Sequence, residues 1–232
     1  IDGYPILLTM NNNISNINEY PVFGQLIMMN MSSLKISGVD HQFLRGAISL
    51  FQSRHISFEN MTLNGRGAGF NINDCSEIHF ENLSIEEFKK DFLNVRDSEG
   101  IYLTKCNFSD CFGNYFRFED SQDIHISSLD VNSSGGDLFD IQECQDFHAS
   151  DIDYISQNNN DYAFRIRDTD GVRIEDCSFF SRRGSEMDDC RSVFLINNRI
   201  ESEETTLELD ENIIMVLTDN HIVSGTGYGV YQ

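Results

Sequence analysis

Gly69-Phe70-Asn71-Ile72-Asn73-Asp74-Cys75-Ser76-Glu77-Ile78-His79-Phe80-Glu81-Asn82-Leu83-Ser84-Ile85 holds three short apolar alternations separated by polar punctuation. Phe70 and Ile72 alternate with Asn71 and Asn73, which is strand spacing and not helix spacing. A turn, Asp74 to Glu77, leads to a second alternation, Ile78-His79-Phe80-Glu81. Asn82 then makes a corner before a third, Leu83-Ser84-Ile85. No single one of these strands can bury its apolar face alone.

The pattern returns on both sides. Taking Ile78 as marker, the equivalent position falls at Leu34, Ile56, Ile78, Ile101, Ile124, Phe147, Val172, Val193 and Met215, in steps of 22, 22, 23, 23, 23, 25, 21 and 22 residues. A fixed step of this size is the signature of a solenoid, in which each unit covers its apolar face with its neighbours. Three strands per unit with no helical stretch between them predict a right-handed, single-stranded parallel β-helix of about nine coils, each 21–25 residues, in a rod of ~40 Å. The corner column is Asn60, Asn82, Lys105, Ser128, Asp151, Asp176, Asn197 and Asp219, nearly all residues that tolerate the left-handed conformation. Residues 1–24 fit the repeat poorly and are assigned to an irregular N-terminal cap, leaving 25–232 to the β-helix.

Composition narrows the partners. With 16 basic against 38 acidic residues the formal charge is −22, a field that repels nucleic acid and anionic membranes. No apolar run approaches the length of a membrane span, so membrane insertion is not expected. The chain opens at Ile1 and not at Met, which is compatible with a removed leader. Of the six cysteines, Cys75, Cys144 and Cys190 share a turn column with Ser98, Ser121 and Thr169, while Cys106 and Cys177 share an inward column with Leu83, Leu129 and Ile152. Members of a column lie coils apart, so free thiols are expected in place of disulfides.

The units Gly100 to Phe108, Val172 to Phe179 and Val193 to Ile200 resemble coils of the pectin lyase-like β-helix superfamily, and the resemblance extends over roughly residues 25–232. It implies a fold shared by polysaccharide lyases, glycoside hydrolases, uronate epimerases, phage tailspikes and adhesins. It also implies an extracellular or cell-surface location and an active groove along the first-strand sheet. The Asn-Thr-Asp that polygalacturonases pair with an Asp-Asp, and the Asp-Pro-His-Asp of alginate epimerases, do not occur in this sequence.

Inward residues are committed to the core, so chemistry must come from outward columns and loops. On the first sheet one outward column is Ile27, Ser49, Asn71, Asn94, Arg117, Asp140, Arg165, Glu186 and Glu208, and the second is Met29, Phe51, Asn73, Arg96, Glu119, Gln142, Arg167, Asp188 and Asp210. A third, where the strand turns, runs from Asn30 and Gln52 through Asp74, Asp97, Asp120, Glu143, Asp168, Asp189 and Glu211. Its mixed middle zone is the candidate catalytic region: Arg117, Asp140, Arg165 and Glu119, with Asn94, Arg96, Gln142 and Arg167 as substrate-binding neighbours. Guanidinium groups there can take sugar carboxylates beside an acid, as a lyase or a hydrolase on an acidic polysaccharide requires. The alternative is a ladder of cross-strand ion pairs that only keeps the face neutral.

Glu186, Asp188, Glu208 and Asp210 form an all-oxygen quartet on neighbouring coils, a candidate Ca²⁺ site; the bland reading is a solvated acidic face. The apolar start of the face, Ile27, Met29 and Phe51, calls for a cover, assigned to residues 1–24. The second sheet carries His79, Tyr102, His125, His148 and Arg173 outward, read as a surface ladder in preference to a metal site. Two functions follow: a carbohydrate-active β-helix that binds an acidic polysaccharide along the first sheet, with or without cleaving it as a lyase or hydrolase, or a non-catalytic solenoid such as an adhesin, a phage-type spike or a stalk, trimeric if a spike.

Overall fold

A computed structural model describes residues 6–8, 26–38, 40–44, 47–65, 69–89, 91–133, 135–156 and 160–231. Among them there is no helix, and the strands form an eleven-stranded sheet and a thirteen-stranded sheet whose neighbours are parallel. Successive strands of one sheet are one coil apart in sequence, which is the parallel β-helix the repeat predicts. The register matches the marker spacing: Leu34 lies opposite Ile56, Ile56 opposite Ile78, Ile78 opposite Ile101 and Ile101 opposite Ile124.

One detail differs from the three-strand unit. In the middle coils the second and third strands are one continuous strand, as in Ser76–Glu86, Glu99–Ser109 and Gln145–Ser156. The bend is made by a single left-handed residue, Asn82 at φ 55°, Lys105 at 54° and Asp151 at 52°. A single such residue turns the chain while both neighbours keep their ladder bonds, so pairing continues through the corner. Toward the C-terminus the break is complete, with Asp170–Glu175 and Ser178–Ser181 as separate strands. The whole corner column has positive φ, and so does the column running from Asn30 and Gln52 to Glu211. Asparagine and aspartate dominate because their short polar side chains accept this backbone most cheaply.

Of the segment 1–24, Ile6–Leu8 is described, and it adds one strand to the first sheet by pairing with Leu26–Met28. The remainder of the assigned cap, and with it the cover expected over Ile27, Met29 and Phe51, lies outside the described residues; Met29 is 38% exposed. At the other end, the coil from Ile213 to Tyr231 leaves Ile213, Ile214, Leu217 and Val230 exposed.

Within the largely aliphatic core runs a column of aromatic rings. Phe58 and Phe80 stack at 5.2 Å, Phe70 meets Phe80 edge-on at 4.9 Å, and Phe92 meets Phe108 at 4.8 Å. Each fully buried ring contributes about 1.5–3 kcal/mol of transfer free energy.

The turn column of small polar residues is a second organising element. The backbone N–H of Ser53 donates to Cys75 Sγ, that of Cys75 to Ser98 Oγ and that of Ser98 to Ser121 Oγ, at 3.4, 3.1 and 3.2 Å. The same side chains donate to the carbonyl two residues back, Ser98 Oγ to Arg96 at 2.6 Å and Cys75 Sγ to Asn73 at 3.2 Å. The column continues through Cys144, Thr169, Cys190 and Asn212. These thiols are therefore used as small hydrogen-bonding groups, and all six cysteines are free and buried. Burial pushes Cys106, Cys144 and Cys177 up to about 12. Ser98→Ala removes the acceptor of one buried N–H and the donor to one carbonyl, and is expected to cost about 1–3 kcal/mol in a denaturant titration. Ser98→Cys, which repeats what stands at Cys75, should retain most of that stability.

Candidate functional site

The first-sheet columns stand in the register the repeat predicts. Asn94 lies opposite Arg117, Arg117 opposite Asp140, Asp140 opposite Arg165 and Arg165 opposite Glu186. Arg96, Glu119, Gln142 and Arg167 form the neighbouring column. Because successive strands are ~4.8 Å apart, long guanidinium side chains reach one or two coils in either direction.

The side chains use that reach. Arg96 Nη2 is 2.8 Å from Glu119 Oε2, and Arg117 stands between Glu119 and Asp140 at 3.9 Å from each. Arg167 Nη2 donates to Asp140 Oδ1 at 2.7 Å, a diagonal contact across the ladder. Asp140, although outward-facing, is only 7% exposed, held between Arg117 and Arg167. Arg96, Glu119, Arg117, Asp140 and Arg167 are thus one continuous chain of ion pairs. Gln142 turns aside to Glu143, its Nε2 donating to Oε1 at 3.1 Å. Asn94 Oδ1 is buried with no hydrogen-bond partner.

Arg165 does not join Asp140 as its column position implies. Its Nη2 donates to Asp137 Oδ2 at 2.5 Å, and its guanidinium lies 5.3 Å from the centre of the Tyr162 ring. Arg183 lies 5.0 Å from the centre of the same ring. Burial raises the proton affinity of the Asp137 carboxyl, against the opposing pull of the Tyr162 N–H and of Arg165. Asp137 and Tyr162 are residues the column reading missed, because they precede or begin first-sheet strands, while Arg183 belongs to the stretch Ser181 to Glu186, whose Arg182 and Arg183 the sequence places near the acidic quartet. A signal was present: Asp91, Asn114, Asp137 and Tyr162 each stand two residues before an inward residue of the first sheet. They form a ladder of their own, with the N–H of Asn114 donating to Asp91 Oδ1, that of Asp137 to Asn114 Oδ1 and that of Tyr162 to Asp137 Oδ1, at 3.1, 3.2 and 2.9 Å.

In the acidic quartet Glu186 lies opposite Glu208 and Asp188 opposite Asp210, as the sequence implies. Among the described residues, however, no three carboxylate, histidine or cysteine side chains converge as a metal ion needs. Register alone brings backbones together and does not make side chains converge.

On the second sheet the rings form a stack, His79 on Tyr102 at 4.7 Å and Tyr102 on His125 at 5.4 Å, with His148 edge-on at 5.6 Å. Tyr102 donates to Asp123 Oδ2 at 2.5 Å and His125 Nε2 lies 2.8 Å from Asp123 Oδ1. The Tyr102 hydrogen bond, with that of His125, holds the Asp123 carboxyl below its usual 3.8, while Tyr102 itself is pushed up to about 12. A carboxyl depressed in the folded state contributes stability above its unfolded pKa and loses it as pH falls through the folded value. Stability should therefore decline below pH 3.8 in part through Asp123, and Asp123→Asn should flatten that part of the stability–pH curve. An unchanged acid slope in the variant would exclude this contribution.

Among solved structures, the A-module of mannuronan C-5 epimerase AlgE4 from Azotobacter vinelandii is similar over 99% of this chain and 89% of its own, with 11% identity and a TM-score of 0.41. No curated protein matches the chain. The model of the family described as "Right handed beta helix region" matches residues 25–151, a stretch that includes Arg96, Arg117, Glu119 and Asp140 of the ion-pair band. The chain belongs to the right-handed β-helix family.

Proposed function

We propose that the first-sheet face binds an acidic polysaccharide lying across the coils, and that it holds the polymer without cleaving it. The observation that carries this reading is the band itself: Arg96, Arg117, Arg165 and Arg167 gather on one face of a chain whose formal charge is −22. Guanidiniums match sugar carboxylates in geometry as well as charge. A strand spacing of ~4.8 Å is also close to the length of one pyranose unit, so a polymer crossing the coils can meet one row per sugar.

Cleavage makes a further demand. A glycoside hydrolase needs one protonated carboxyl and a second free to act on water or on the sugar. Here Glu119 and Asp140 are both engaged by guanidiniums, which supports a binding role for Arg117, Asp140, Arg165 and Glu119. The test is a panel of polyuronates and neutral glycans, followed by affinity electrophoresis, by assay for new reducing ends and by the absorbance of unsaturated uronates. Retention of polyuronates alone, without products, is the expected result, and Arg117→Ala should weaken it. New reducing ends or unsaturated products would replace binding with hydrolysis or elimination. Equal retention of neutral polymers, or an unchanged Arg117→Ala variant, would remove the site.

A further inference from the structure

We infer that Arg183 is the residue of this face that recognises a sugar carboxylate directly, and that the ligand is therefore a polymer with uronate units; this rests on the binding role proposed above. Three of the band's four guanidiniums hold a carboxylate closely, Arg96 that of Glu119, Arg165 that of Asp137 and Arg167 that of Asp140, and Arg117 is shared between Glu119 and Asp140 at 3.9 Å from each, where it adds its charge to the face. Arg182, next in sequence, is 3.1 Å from Glu203. Arg183 is exposed, and among the described residues no carboxylate lies within ion-pair distance of its guanidinium. It is nevertheless placed, because it lies over the Tyr162 ring. A guanidinium resting on an aromatic face keeps its N–H edges directed outward, where a carboxylate is met by two parallel hydrogen bonds. Pre-seating the side chain also lowers the ordering cost of binding.

Its position fits the polymer path. Arg183 lies in the connection between Ser178–Ser181 and Gly184–Asp188, so it enters the face from the side, beside the strand Tyr162–Arg167. The same ring carries Arg165, whose buried Nε makes no hydrogen bond. Tyr162 is thus a shared seat that joins the open guanidinium to the paired band.

The full chain is titrated with polygalacturonate, alginate and polyglucuronate oligomers, and with a carboxyl-reduced form of whichever binds. Arg183→Ala is expected to weaken binding about 10- to 100-fold, Arg182→Ala to leave it unchanged, and carboxyl reduction to abolish it. Tyr162→Leu should weaken binding and Tyr162→Phe should not, since phenylalanine keeps the ring. Thermal melting checks that each variant is folded. If a polyuronate binds and Arg183→Ala binds it equally, Arg183 is not the recognition residue while the binding role stands. If no polyuronate binds the unaltered chain, both readings fall.

Discussion

Phe92→Ala should lower the unfolding free energy by about 3–5 kcal/mol. Phe92 lies immediately before the strand Leu93–Arg96 and is fully buried. Its ring meets Phe70 at 5.5 Å, Phe88 at 5.8 Å, Phe108 at 4.8 Å and Phe116 at 6.2 Å. Truncation leaves a cavity shared by neighbouring coils, and the ladders around it are too rigid to collapse into the space. A solenoid is stabilised mainly by contacts between adjacent units, so the damage is placed where it can divide the rod into two cooperative blocks. Equilibrium denaturation by circular dichroism should show an earlier transition, broadened or split. Phe92→Leu should cost far less, and a loss below about 1 kcal/mol for the alanine variant would mean that the aromatic column is not a main source of stability.

Gly184→Ala is expected to be of similar size, about 3–5 kcal/mol, for a different reason. Gly184 has φ +91°, a conformation that a side chain rarely adopts, and an added Cβ would lie 2.1 Å from the Thr205 carbonyl oxygen and 2.5 Å from that of Thr206. The backbone of one coil would have to move off the next. Gly38 separates the two causes, since it has φ +69° with nothing within 4 Å of an added Cβ. Gly38→Ala should therefore cost only about 1 kcal/mol of backbone strain. If both alanine variants melt alike, the close approach at Gly184 is not what requires glycine. Gly184 also follows Arg183 directly, so a displaced strand start should weaken polyuronate binding in the same variant.

The ion pairs of the band add little to these figures where they are exposed, since surface pairs contribute about 0–1 kcal/mol. Asp140 is the exception in kind. It is almost fully buried between Arg117 and Arg167. Such a group persists because its partners are present, and it orients them in turn.

Much of this was legible in the sequence because a β-helix repeats one local rule. An alternation of period two decides which side chains point inward, and a left-handed residue decides where the chain turns; both are properties of a few adjacent residues. The spacing from Leu34 to Met215 therefore fixed the register of Arg117, Asp140 and Arg165 and the left-handed corner from Asn60 to Asp219. The merging of strands through Asn82 was not legible, since whether pairing survives a corner depends on the neighbours on both sides. Nor were the partners on the open face. Arg165 chose Asp137 over its column neighbour Asp140, Tyr162 seated both Arg165 and Arg183, and the carboxylates of the quartet did not converge. A guanidinium can span more than one coil, and the connections that carry Asp137 and Arg183 vary in length. Their pairings are set by distances between coils that only the tertiary structure holds.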